Sequence, residues 1–475
     1  MVLVKKVFRE LFIIHHYLKT CKFTSKRSKC QFIWRFATQS LLLRQKYIIS
    51  IMVLLKNVVI HAPESELHGR TQDIFIENGI IKIVTDHIEP PFGTQIIQKQ
   101  GVHVSIGWMD VGVLAGDPGF EHREDLQSVS EAAAAGGFTA IALYPNTNPA
   151  IDSKSGVLYI KNKNNQFLTT IYPIGALSVG CQGKDITEMI DMRRAGAIAF
   201  ADGHHSVQNA GLLLRGLQYA KACNALIINV PHDETIGGHG QMHEGIVSTS
   251  LGLTGLPAMA EELMIQRDLH LVAYTGGRLH FAGISTAHSV ELIREAKRKG
   301  LKISASVNIM NLCFTDAALS GFDTHYKVMP PLRTNTDVDA LIHGLKDGTI
   351  DFISSGHTPV EIEKKNLEFP YAKFGVIGLE SFFGLANLHL HKKLNINTII
   401  KMMTIIPRQL FGLEVPKIQV GTIADLTLFN PNESYIFEQK NIYSKSKNTP
   451  LIGKTLKGKV LGVIKNKNVF LNQGR

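Results

Sequence analysis

The chain has 475 residues, 19% charged and 44% hydrophobic, with 41 Gly and 17 Pro, a composition that excludes disordered, collagen-like and disulfide-scaffold chains. No run of about 18 uncharged apolar residues occurs, so no membrane-spanning helix is expected. The net charge of +11 sits almost wholly in residues 1–51, where eleven bases face the single acid Glu10, while the other 424 residues carry 40 bases and 39 acids and give no reason to expect nucleic-acid binding.

The basic head, 1–51, mixes aromatic and aliphatic residues among its bases without helical or strand periodicity. The reading preferred here is that translation begins at Met52, where "MVLLKNVVI" opens a strand followed by the turn-rich "HAPESELHG". A targeting presequence and a basic arm for anionic partners are the alternatives. Residues 52–105 then read as strand and turn, the first part of a β-domain.

From residue 100 onward short apolar runs alternate with helical patterns. Strands are expected at 102–113, 139–145, 169–178, 197–202, 225–232, 278–285, 301–308 and 350–357. Between them lie amphipathic stretches such as "EDLQSVSEAAAAGG", "NAGLLLRGLQYAKAC" and "SVELIREAKRKG", with apolar residues at helical spacing and Gly or Asn stops. Eight strands and intervening helices over about 250 residues predict an α/β fold, a (β/α)8 TIM-like barrel across 106–410. A doubly wound sheet is the runner-up, but no GxGxxG follows a first strand. Residues 411–475 return to strand and turn, so both chain ends are expected to build one small composite β-sandwich domain. The five cysteines (Cys21, Cys30, Cys181, Cys223, Cys313) form no CxxC pair, which fits reduced thiols and a cytoplasmic location.

In a barrel the chemistry gathers at the C-terminal strand ends. There the runs "GWMDVGVLAGDPGFEHREDL" (107–126), "YPNTNPAID" (144–152), "MHEGIVSTSLGLTGLPAMAEE" (242–262), "KVMPPLR" (327–333) and "FGVIGLE" (374–380) resemble dihydroorotase, an amidohydrolase of pyrimidine synthesis. The resemblance spans about 52–475. It implies a two-metal site, usually zinc, that makes a hydroxide nucleophile from a bridging water and polarises the amide carbonyl. It implies ligands from a His-x-His pair on strand one, an acid on strand four, His on strands five and six, and on strand eight an Asp that also shuttles the proton.

Most of that set is missing. Strand one reads Asp110, Val111, Gly112, Val113, Leu114, so both histidines are replaced by side chains with no lone pair to offer a cation. On strand six the ligand position is Gly283, and on strand eight the shuttle position is Gly356. Asp202 and His232 remain as the metal-ligand remnants, too few for a zinc site. Asn146, Arg333 and His357 are the substrate-binding remnants that the resemblance suggests. Local readings stand beside these: Asp202 as a helix cap, His232 as a hydrogen-bonded remnant, Asn146 as an Asx turn, and Lys327 and Arg333 as structural cations. His204, His205, His239, His243 and His280 could in principle rebuild a relocated site.

No catalytic residue is therefore expected, and no cofactor. Zinc enters only under the alternative of an active dihydroorotase or related cyclic-amide hydrolase with an altered site. The expected role is a dihydroorotase-like pseudoenzyme that assembles as a homo-oligomer and supports aspartate carbamoyltransferase, a partner drawn from the family resemblance.

Overall fold

The computed structural model describes residues 51–472, so the readings of the basic head lie outside the described residues. The sequence forms two kinds of sheet for two patterning reasons. Near the C-terminal end, strand Thr455–Lys465 alternates buried with less buried positions over most of its length, whereas the middle strands Phe138–Leu143 and Ile227–Asn229 are buried on both faces.

At the N-terminal end lie β1 (Met52–His61), β2 (Thr71–Glu77), β3 (Ile80–Thr85), β4 (Gln95–Ile97) and β5 (His103–Ile106). Antiparallel pairing joins β1 to β2, and parallel pairing joins β1 to β4 and β5. The chain returns at its C-terminal end with three strands at Asp425–Ile436, Thr455–Lys465 and Asn468–Leu471, the first pairing antiparallel with β5 through Leu426 and Ile106. Ile81 N donates to Thr422 O at 2.9 Å and Ala424 N to Gly79 O at 2.8 Å, so the edge at β3 comes back against the start of Asp425–Ile436. Both ends of the chain thus share one core, with Val53, Ile60, Ile74, Val104, Leu426 and Ile464 buried together.

The barrel begins with β6 (Trp108–Val113), β7 (Phe138–Leu143) and β8 (Thr170–Pro173), paired in parallel. The fourth expected strand is reduced to the bridges Gly175–Phe200 and Phe200–Ile227, although backbone bonds from Gly175 N to Ala199 O and from Ile228 N to Phe200 O keep it extended. β9 (Ile227–Asn229) follows, then the short pair β10 (Met242–His243) and β11 (Gly255–Leu256), then β12 (Leu279–Phe281), β13 (Ile303–Asn308) and β14 (Phe352–Ser354). The order β9, β12, β13, β14 is parallel throughout, and Leu114 N donates to His357 O at 3.1 Å where the last strand meets the first. The fold is α/β, a (β/α)8 barrel with a small β-sandwich domain.

Helix starts follow local chemistry. Asp125, Asn209, Thr286 and Thr334 each accept a backbone N–H in the first turn of helices Leu126–Ala135, Ala210–Ala222, Ala287–Arg298 and Asn335–Lys346. The last barrel helix, Ile396–Phe411, buries Ile399, Met402 and Met403 in the barrel core and Ile405 in the sheet core, which locks the two parts together. Among the described residues no helix is long and apolar enough to cross a membrane.

Candidate functional site

The strand ends open on a cavity of about 390 Å³ whose wall includes Gly112, Leu114, Tyr144, Asn146, Gly283, Asn308 and Gly356. Its size lies in the range of small-molecule sites. Arg123 and Lys373 reach its wall and no Asp or Glu does. Arg123 is spoken for, with Nε 2.8 Å from Glu361 Oε2.

Three of the four positions where the resemblance implies lost ligands are glycines at positive φ. Gly112, Gly283 and Gly356 have φ of 83°, 69° and 64°, the left-handed region that a histidine or aspartate enters only with strain. Neighbours have moved in beside them. A Cβ on Gly112 would stand 3.0 Å from the Tyr144 ring, and one on Gly356 would stand 3.1 Å from Asn308 Cγ. A Cβ on Gly283 would meet Pro330 Cδ at 3.3 Å and Asn308 Nδ2 at 3.4 Å. Leu114 lines the cavity and packs on the barrel core.

Of the surviving metal-ligand candidates, Asp202 is bound by the protein while His232 stays on the cavity wall. Asp202 is buried, its Oδ1 accepting from Ser178 N at 2.8 Å and its Oδ2 from Ser178 Oγ at 2.6 Å. Burial raises its pKa, against the opposing effect of the Ser178 bonds. It does not cap the following helix, because Asn209 does so. His232 lies on the cavity wall, but β9 ends at Asn229 and Val230 and Pro231 intervene, so the imidazole sits beyond the strand end, over Gly237. Burial lowers its pKa.

Asn146 also lines the cavity, with its amide spanning the Asp202–His204 turn: Nδ2 donates to Asp202 O at 3.0 Å and Oδ1 accepts from His204 N at 3.1 Å. Arg333 lies outside the lining. Its guanidinium donates to Ser285 Oγ at 3.1 Å and Leu256 O at 3.0 Å, meets His243 Nδ1 at 3.1 Å and lies 3.8 Å from Glu261 Oε2. The structural reading of Arg333 therefore replaces the substrate-contact reading. His357 is fully buried behind the wall, with Nδ1 accepting from Gly378 N at 3.3 Å and Nε2 3.7 Å from Glu124 Oε2. It too turns away from the cavity.

Of the other imidazoles, His204 and His205 lie together with ring centroids 4.2 Å apart, and His204 shares the cavity wall with His232. His280 is buried between Ser304 and Ser306, stacked on Phe352, and burial pushes its pKa down to about 3. His243 holds Arg333, and His239 is exposed. Among the described residues, no three His, Cys, Asp or Glu side chains are placed to hold a metal ion. The two-metal set that the resemblance implies does not fit these residues.

Three wall residues were missed in the sequence. Tyr144 ends the run after β7, Asn308 ends β13, and Asn311 follows it on helix Ile309–Cys313. The strand-end rule applied to every strand would have found the first two. Asn311 Nδ2 donates to the carbonyls of Pro330 (3.3 Å) and Pro331 (3.0 Å), while its buried Oδ1 has no partner.

The comparisons agree with this architecture. Residues 103–289 match the family model described as Dihydro-orotase-like. The chain is 41% identical over 412 residues to a dihydroorotase of Thermoanaerobacter sp. (strain X514), covering 86% of this chain and 94% of that protein. It is 43% identical over 393 residues to a dihydroorotase of Ruminiclostridium cellulolyticum, covering 82% and 91%. Among solved structures, L-hydantoinase from Arthrobacter aurescens superposes with a TM-score of 0.78 at 23% identity, over 89% of this chain and 96% of that one, which speaks for the fold. With this identity over nearly its whole body, and the same barrel beneath it, the chain belongs to the dihydroorotase family of amidohydrolases.

Proposed function

We propose that this chain is a non-hydrolysing dihydroorotase-family protein, free of catalytic zinc and kept for assembly. It acts as a homo-oligomer in the cytoplasm and supports aspartate carbamoyltransferase in pyrimidine synthesis. The observation that carries this reading is the state of the ligand positions. Three are left-handed glycines backed by Tyr144, Asn308 or Pro330, and the fourth is Leu114. A hydroxide nucleophile made at neutral pH needs the cations, and these side chains supply no donors for them. Meanwhile the barrel keeps a continuous hydrophobic core. The partner is suggested by family resemblance alone.

The test is co-sedimentation of the full chain with aspartate carbamoyltransferase from the same source, with dihydroorotate turnover followed in parallel. Co-sedimentation without turnover by the isolated chain is the expected result. Turnover of dihydroorotate by the isolated chain overturns the non-hydrolysing reading, and separate migration overturns the partner.

A second reading, an active dihydroorotase or related cyclic-amide hydrolase with an altered site, is favoured by a different observation. The two relatives named dihydroorotase are 41% and 43% identical, and the cavity stays open with the imidazoles of His204 and His232 on its wall. Under that reading His232 and the rim imidazole of His204 hold the metal in a rearranged loop. It requires at least one zinc per chain.

A further inference from the structure

Where the terminal sheet meets the last barrel helix, three imidazoles and one carboxamide form a continuous chain. His61 ends β1, His103 opens β5, His68 lies in the turn before β2, and Asn397 sits in the first turn of helix Ile396–Phe411. His61 Nε2 is 2.6 Å from His103 Nδ1. The two ends of the Asn397 amide lie 2.8 Å from His61 Nδ1 and 3.2 Å from His68 Nε2. At the far end, Ala62 N donates to His68 Nδ1 at 3.3 Å.

The backbone donor fixes the polarity. Because His68 Nδ1 accepts from Ala62, a neutral His68 carries its proton on Nε2. With the amide nitrogen toward His68, that ring would have to accept on both nitrogens, which no neutral or protonated imidazole does. Turning the amide over resolves this. His68 Nε2–H then donates to the Asn397 oxygen, the Asn397 NH2 to His61 Nδ1, and His61 Nε2–H to His103 Nδ1. Every link uses one donor and one acceptor, so the chain closes only with three neutral rings. An added proton can be displaced along it by flipping the amide. It still leaves one N–H facing another, either between His61 and His103 or between His68 and Ala62.

The Asn397 bond favours a proton on His61, but burial outweighs it. The His61 and His103 rings stack at 4.9 Å, and each lies 5.6 Å from the Phe429 ring of strand Asp425–Ile436. The charged neighbour acting on His61 is His68, and the one acting on His103 is His61; no carboxylate faces either from β1, β5, strand Asp425–Ile436 or the helix. The helix that carries Asn397 contributes Ile399 to the barrel core and Ile405 to the sheet core.

We infer that His68, Asn397, His61 and His103 form an acid-released clasp that holds the start of helix Ile396–Phe411 against the terminal sheet. Burial lowers the pKa of His61 and takes that of His103 down to about 4, below the ordinary value near 6.5. Since the unfolded chain then binds more protons, the clasp's contribution is complete above about pH 6.5 and is lost as pH falls toward about 4.

The test uses the full chain. Thermal melting of wild type and of His103→Gln is followed between neutral pH and the low end of that window, together with NMR titration of the imidazole C2 protons. The wild type should lose melting temperature more steeply on acidification than His103→Gln, with amide exchange in the first helical turn accelerating by about tenfold or more beyond its intrinsic pH dependence. His61 and His103 should stay neutral well below the ordinary range. Should the variant fail to fold, the imidazole titration in the wild type decides. Normal titration of both rings, or identical pH profiles for the two proteins, overturns the clasp.

Discussion

Asn308 stands against Gly356 at the ends of adjacent strands in the barrel mouth: a Cβ built on Gly356 would lie 3.1 Å from Asn308 Cγ. Asn308 Oδ1 also accepts from Ser354 Oγ at 2.7 Å, two residues before that glycine, which ties β13 to the end of β14. The position that the resemblance assigns to a proton-shuttling aspartate is therefore a left-handed glycine with an amide laid over it.

This contact decides what happens on restoring the ligands. If the backbone kept the family geometry, Gly112→His, Leu114→His, Gly283→His and Gly356→Asp together would regain zinc. The substitutions at Gly112, Gly283 and Gly356, all at positive φ, instead add about 1–2 kcal/mol of strain each. The quadruple variant should bind no more zinc than wild type and should melt lower, as read by metal analysis and calorimetry. A gain of stoichiometric zinc would show that the mouth is still the family's.

Arg333 gives a second test. Its partners Ser285, His243, Leu256 and Glu261 are all protein groups in the interior. Arg333→Ala should cost about 3–5 kcal/mol in urea unfolding, because it leaves Glu261 buried without its cation. A substrate-binding arginine at an open site would leave stability nearly unchanged.

Asp202 separates structural from metal roles. Asp202→Ala strands the Ser178 N–H and hydroxyl, which should cost about 1–3 kcal/mol in denaturant titration. Zinc content should not move. A fall in bound zinc with stability unchanged would make Asp202 a ligand.

The barrel also carries a pH signature of opposite sign to that of the histidine clasp. Asp110 is fully buried, and burial raises its pKa to about 6, against the Ser355 bonds that favour the carboxylate. The native state then holds a proton that the unfolded chain, with an ordinary value near 3.9, releases first. This contribution is complete below about pH 4 and is lost as pH rises through about 6. Asp110→Asn should flatten that part of the stability profile, and an unchanged profile would place the titration elsewhere.

The sequence made the barrel legible because both-face burial in β7 and amphipathic spacing in helix Ala287–Arg298 are one-dimensional patterns. Losses at Gly112, Leu114, Gly283 and Gly356 were also readable, since an absent donor needs no coordinates. The commitments of the survivors were not. Arg333 and Leu256 are far apart in the chain, as are His357 and Glu124, so only the fold shows that these polar groups face inward instead of toward the cavity. The positive φ of three glycines is likewise invisible in the residue letters.

Zinc content of the purified full chain, measured with dihydroorotate turnover on the same sample, tests the central claim most directly. The account predicts metal near zero and turnover no faster than buffer. One or more tightly held zinc ions per chain, with turnover that chelation abolishes and zinc restores, would contradict it.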